Sequence, residues 1–160
     1  MCCSPDSAAL AAAAGPRLDR LRAACADAGM GAFFVRDSSS IAWLAAFDGV
    51  VDDEGAHALL VTPSDAVLHT DSRYSEAARA AAAREGAVAV DDARVAHAKF
   101  VAATFAARHA DRPSVEAEAI ALGIEDSMSL AGFRALAAAF ADVPERPKLR
   151  DTSDFILNLR

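Results

Sequence analysis

The chain has 160 residues, a length that fits one domain able to bury roughly 68–70% of its unfolded surface without disulfide or metal. Hydrophobic residues make up 54% but aromatics only 6%, so alanine dominates and the core must rest on small side chains suited to helices packed on a sheet. A net charge of −7 excludes the basic stripe that a nucleic-acid backbone requires.

In chain order, residues 1–15 read as a loosely ordered tail. The apolar run 8–14 is too short to span a bilayer, and Asp6 stands where a secretory signal would carry positive charge. Cys2-Cys3 has neither the glycine that myristoylation needs nor a basic cluster, so no membrane anchor is expected. Three cysteines without a Cys-x-x-Cys pair fit a reducing, cytoplasmic compartment. Pro16 opens a helix with Leu18, Leu21, Cys25 and Ala28 on one face and Gly29 as its stop. Ala32-Phe33-Phe34-Val35 is a short buried strand. The serines at 38–40 cap a short helix over 41–47, and an acidic loop follows over 48–55.

Strands over 56–62 and 66–70 flank Pro63-Ser64-Asp65, a hairpin turn. A helix over 75–84 stops at Gly86, a strand follows at 88–90, and a longer helix over 93–109 turns Phe100, Val101 and Phe105 inward. Residues 114–117 and 119–122 are extended. Ser129 caps a helix in which Leu130, Phe133, Leu136 and Phe140 recur at helical spacing, and 151–160 reads as the start of another helix. Helices alternating with strands, plus one hairpin, indicate a single α/β domain with a mixed sheet.

The usual chemical signatures are missing. Gly29-Met30-Gly31 lacks a third glycine and precedes a strand, whereas a dinucleotide loop must follow one. There is no phosphate loop, nucleophile elbow or His-Glu-x-x-His. His57, His69, His97 and His109 are scattered; His69-x-Asp71 could put two ligands on one strand face, but no third partner is evident, so no metal site is expected. Asp52-Asp53-Glu54 and Asp91-Asp92 read as solvated acidic pairs. Asp71 and Arg73 point to the same side at a strand end, where a carboxylate–guanidinium contact would tie the strand to the next helix.

The order of these pieces carries more than any one of them. Residues 41–49, Ile-Ala-Trp-Leu-Ala-Ala-Phe-Asp-Gly, resemble the "Asn-Ile-x-Tyr-Leu-Thr-Gly-Phe" segment of the creatinase/prolidase N-terminal domain family. Trp43 stands for the usual Tyr, and Ala45-Ala46 for Thr-Gly. That family continues with a hairpin and "Leu-x-Thr-Asp-x-Arg-Tyr", which Leu68-His69-Thr70-Asp71-Ser72-Arg73-Tyr74 matches. The glycine-methionine turn before Phe33-Phe34-Val35, Ser114-Val115-Glu116 and the helix from Ser129 fall in the family's order as well.

The resemblance implies a three-layer, ribonuclease H-like α/β domain over 16–148, a mixed sheet flanked by helices, with 149–160 starting a connector to a catalytic domain. The implied parent is an Xaa-Pro aminopeptidase or Xaa-Pro dipeptidase, whose two divalent ions (Mn, Co or Zn) sit in that second domain; no catalytic or metal residue is expected in this chain. Also implied are a homodimer, a proline-containing peptide substrate, and no nucleic-acid or membrane partner. Phe47, Asp48, Val50 and Val51 are the expected substrate-entrance residues, whereas Asp71, Arg73 and Tyr74 are expected to be structural. A non-catalytic protein-interaction module and the N-terminal domain of a creatinase-type amidinohydrolase are the alternatives.

Overall fold

The computed structural model describes residues 13–47, 55–110 and 120–160. Helix α1 (Ala14–Asp27) leads into strand β1 (Ala32–Val35) and helix α2 (Ser38–Ala45). The hairpin β2 (His57–Val61) and β3 (Ala66–Thr70) precedes α3 (Ser75–Glu85), β4 (Ala89–Asp91) and α4 (His97–His109). After the next undescribed stretch come β5 (Ala121–Glu125), α5 (Leu130–Phe140) and β6 (Lys148–Thr152), then a 3₁₀ turn at Leu157–Leu159.

The six strands form one mixed sheet in the order β4-β3-β2-β1-β5-β6. β1 and β2, and β2 and β3, are antiparallel; β3–β4, β1–β5 and β5–β6 are parallel. Alternation along the central strands divides the core. Phe33, Val35, Leu59 and Val61 join Leu18 and Leu21 of α1, Ile41 and Leu44 of α2, and Ala78 and Ala81 of α3. Ala32, Phe34, Ala58 and Leu60 face the other way, toward Phe100, Val101 and Phe105 of α4 and Leu136 and Phe140 of α5. Helices therefore cover both faces, the three-layer architecture expected. The small-residue composition has a direct use at Gly123, where an added Cβ would lie 2.5 Å from Phe33 Cδ2 and 2.7 Å from Met30 Sδ. The bare strand leaves room for Phe33, which stacks on Phe155 at a centroid distance of 5.3 Å.

The termini of elements depart from expectation for identifiable reasons. α2 starts at Ser38 because Asp37, not a serine, is its cap: the Asp37 carboxylate accepts from the Ser40 N–H at 2.7 Å. α4 begins four residues late. The Asp91 carboxylate accepts from the Ala93 N–H at 3.1 Å, and Ala96 is extended at ψ 146, so a side-chain-closed turn intervenes. Ser129 does cap α5, accepting from Gly132 N–H at 3.0 Å, yet Leu130 and Phe133 are exposed and only Leu136 and Phe140 reach the core. No helix fills 151–160. Asp151 and Thr152 instead pair with Ile124 and Glu125 in β6, and Phe155 and buried Ile156 anchor the turn that follows. The expected strand at 114–117 lies outside the described residues.

Helix ends expose one backbone requirement clearly. Gly86 closes α3 at φ 69, with nothing within 4 Å of where a Cβ would stand. Gly86→Ala therefore adds left-handed strain without a clash and is expected to lower stability by about 1–2 kcal/mol in urea unfolding. An unchanged midpoint would contradict it. Ala46 occupies the same conformation at φ 52, where the resembled segment carries glycine.

Candidate functional site

The strand directions gather one kind of end on one edge. The carboxyl ends of β1, β3, β4, β5 and β6 and the amino end of β2 all lie there. In open α/β sheets this is the edge where ligands bind. Because α2, α4 and α5 each follow a strand ending here, their first turns meet around a cleft of about 560 Å³. Its lining includes Phe34, Arg36, Asp37, His97, Met128 and Ser129.

Arg36 and Glu125 hold this edge together. Arg36 Nη1 donates to the His57 carbonyl at 2.7 Å. The Glu125 carboxylate accepts from the backbone N–H groups of Arg36 and Asp37 at 3.0 and 2.9 Å. It thus joins the ends of β5 and β1 with two charge-assisted bonds. Burial draws the Arg36 guanidinium below its ordinary range, and Glu125 opposes that shift. At Asp37 desolvation works against ionisation. Bonds from Ser39 and Ser40 and the charge of Arg160 outweigh it, so the carboxyl lies below the usual carboxylate range.

Two histidines far apart in sequence, His69 and His97, meet at this edge, while His57 turns to the opposite face of the sheet. His57 and His69 are buried on β2 and β3. His57 Nδ1 lies 2.9 Å from the Thr70 hydroxyl. His69 stacks on Phe100 at 4.4 Å, and its Nδ1 lies 2.6 Å from His97 Nδ1. Burial, the largest influence, lowers His97 to about 4; the Gly55 carbonyl opposes this, and Arg36, His69 and His57 add to it. A second cleft, about 360 Å³, lies beside the pair and is lined by Asp71, Asp92, Arg94, His69 and His97 among others. Along the sequence these histidines are scattered. The packing of α4 across β3 brings His97 onto His69, and spacing along the chain does not reveal it.

The residues singled out in the sequence divide into three groups. Asp71 and Arg73 form the expected pair at 2.6 Å, and the Asp71 carboxylate also accepts from the Arg73 N–H at 2.9 Å. That pairing holds Asp71 below the usual carboxylate range. Tyr74 sets its half-buried ring edge-on to His57 at 4.8 Å, with the Arg73 guanidinium 5.3 Å from the ring centre. Phe47 is fully buried in the core on the α1–α3 face, so its side chain is an anchor and presents no outward contact. Asp48, Val50 and Val51, with Asp52, Asp53 and Glu54, lie outside the described residues. Arg36, Glu125 and the His69–His97 pair were missed. A charged residue directly after each of two apolar strands was the available signal.

Chemistry of other kinds finds little support here. Among the described residues no group of three or more His, Cys, Asp or Glu side chains is placed to hold a metal ion, so no step through a metal is derived for this chain. Burial pushes the Cys25 thiol up to about 12, which leaves it protonated and unreactive. No helix among the described residues is long and apolar enough to cross a membrane.

Comparison with known families and structures finds the same fold elsewhere. The creatinase/prolidase N-terminal domain family matches residues 17–160. The fold is similar to an Xaa-Pro aminopeptidase from Streptococcus pyogenes at 26% identity and TM-score 0.69, covering 91% of this chain and 95% of that one. It is also similar to the N-terminal domain of the cytoplasmic peptidase PepQ from Mycobacterium tuberculosis H37Rv, at 28% identity and TM-score 0.67, covering 91% and 99%. An Xaa-Pro dipeptidase from Bacillus anthracis, 22% identical with TM-score 0.68, shares the fold over 92% of this chain but only 36% of its own. No curated protein matches the chain.

Proposed function

Because the chain belongs to the creatinase/prolidase N-terminal domain family, we propose that it is the non-catalytic N-terminal domain of a metal-dependent Xaa-Pro aminopeptidase or dipeptidase. Its likeness to the PepQ N-terminal domain, which it covers to 99%, carries this reading. The reading assigns the reacting groups and two divalent ions (Mn, Co or Zn) to a further domain reached through 149–160. The domain described here then contributes to dimerisation and shapes the entrance for a proline-containing peptide, in the cytoplasm.

Chemistry supports that division of labour. Hydrolysis of a peptide bond by a metal-activated water needs several oxygen or nitrogen ligands converging on the ions. The described residues offer a tied edge instead: Arg36 donates to the His57 carbonyl, Glu125 accepts from the backbone N–H groups of Arg36 and Asp37, and the Asp37 carboxylate accepts from the Ser40 N–H. Asp48, Val50 and Val51, which follow the buried Phe47, are the proposed entrance residues: the valines for apolar contact, Asp48 for a substrate's free amino group.

The 160-residue chain alone, supplied with Mn²⁺, Co²⁺ or Zn²⁺, is expected to release no amino acid from an Xaa-Pro peptide. Metal-dependent release by the pure chain would overturn the assignment of catalysis to another domain.

A further inference from the structure

We propose that His69 and His97 share one ring proton, making the pair a proton-operated latch between β3, the start of α4 and the residue pair Gly55 and Ala93. His69 Nε2 lies 3.0 Å from the Ala93 carbonyl oxygen, and His97 Nε2 lies 3.0 Å from that of Gly55. Carbonyl oxygens only accept, so each Nε2 must donate. A neutral imidazole has a single N–H, and these two bonds consume both. The two Nδ1 atoms would then present lone pairs to each other at 2.6 Å, which is repulsive. One additional proton between them turns that contact into a hydrogen bond. The pair therefore holds three ring protons and a single positive charge.

The surroundings decide which ring carries the charge. His69 lies flat on Phe100, with an interplanar angle of 8°, so the ring face of Phe100 stabilises a cation there. Asp91 Oδ1, at the end of β4, lies 3.7 Å from His69 Nε2. His97 has no such support. Arg36, beyond β1, and His57, on β2, both act against a charge on it. Asp71, Asp92 and Arg94 line the adjoining cleft. Hence His69 carries both of its N–H groups, and His97 accepts at Nδ1 while donating from Nε2. A further proton reaches His97 only in acid, in keeping with its value of about 4.

The contacts form a chain across the sheet edge: Gly55 to His97, His97 to His69, His69 to Ala93. Gly55 stands ahead of β2, His97 is the first residue of α4, and Ala93 lies in the turn between β4 and α4. When pH rises and the shared proton leaves, one Nδ1 lone pair must turn away, and the carbonyl on that ring loses its donor. The first turn of α4, which lines both clefts through His97, is thereby freed from either Gly55 or β3.

Imidazole ¹⁵N–¹H long-range correlation on the histidine-labelled chain, followed from about pH 5 to 8 where imidazoles ordinarily titrate, reads the count directly. At the acid-to-neutral end three of the four ring nitrogens of the pair should be protonated, with a through-bond coupling between the two Nδ1 atoms. One proton should then be lost in a step shared by both residues and by the Gly55 amide. In a folded His97→Ala chain, the coupled Nδ1–H signal of His69 should be lost under the conditions where the intact pair shows it. Two neutral rings titrating independently, with no coupling between their Nδ1 atoms at any pH, would overturn the latch. So would persistence of that Nδ1–H signal in a folded His97→Ala chain.

Discussion

Phe47→Ala is expected to lower the unfolding free energy by about 3–5 kcal/mol, the cost typical of truncating a fully buried phenylalanine. Phe47 follows the left-handed Ala46, and its N–H reaches back to the Ala42 carbonyl at 3.3 Å, so the chain turns sharply at the end of α2. That turn drives the ring into the core it shares with Leu18, Leu21, Ile41 and Leu44. Removing it leaves a cavity among neighbours held by three separate helices and the sheet, which cannot all collapse into the space. A shift in the denaturation midpoint at unchanged m-value is the measurement; a loss below about 1 kcal/mol would contradict the burial. The consequence for function is specific. Any catalytic defect of Phe47→Ala in a longer polypeptide has to be read beside its loss of stability. On the proposed reading, contact with substrate rests with Asp48, Val50 and Val51 instead.

Phe47 also illustrates what a sequence does and does not disclose. Its hydrophobicity was legible, but whether it faced outward or inward depended on the φ of Ala46, and alanine gives no sign of a left-handed turn. β1 was legible to the residue because four consecutive apolar residues after a glycine stop admit few other readings. The hairpin was legible because Pro63-Ser64-Asp65 is turn chemistry, and Thr62 and Asp65 close it by mutual hydrogen bonds. The tail from Asp151 reads as the start of a helix, whereas Asp151 and Thr152 pair with β5 and only a 3₁₀ turn at Leu157–Leu159 follows.

The candidate site was less legible than the fold. The Asp71–Arg73 pair is local, two residues apart in the turn just past β3, and closeness in sequence was enough to suggest it. The His69–His97 pair and the Glu125 bridge join residues 28 and 88–89 positions apart. Both depend on strand order and register, which are properties of the assembled sheet. Charged residues immediately after strand ends, Arg36 and Glu125, are the sequence feature that would have marked this edge.

The second large effect is all-or-none and concerns the central claim. If this is the N-terminal domain of an Xaa-Pro metallopeptidase, the whole polypeptide to which it belongs must hold the ion pair and reacting groups elsewhere along its chain. Water bound to such ions becomes a usable nucleophile near neutral pH, a change that separates measurable turnover from none. The decisive measurement is release of the first residue from an Xaa-Pro peptide by that polypeptide, purified, stripped with chelator and reloaded with Mn²⁺. A matched peptide without proline and creatine serve as the other substrates. The account predicts release that requires both the metal and the proline, abolished on stripping and restored on reloading. Folded, metal-loaded polypeptide that leaves the Xaa-Pro peptide intact would contradict it, and hydrolysis of creatine in its place would assign the domain to an amidinohydrolase.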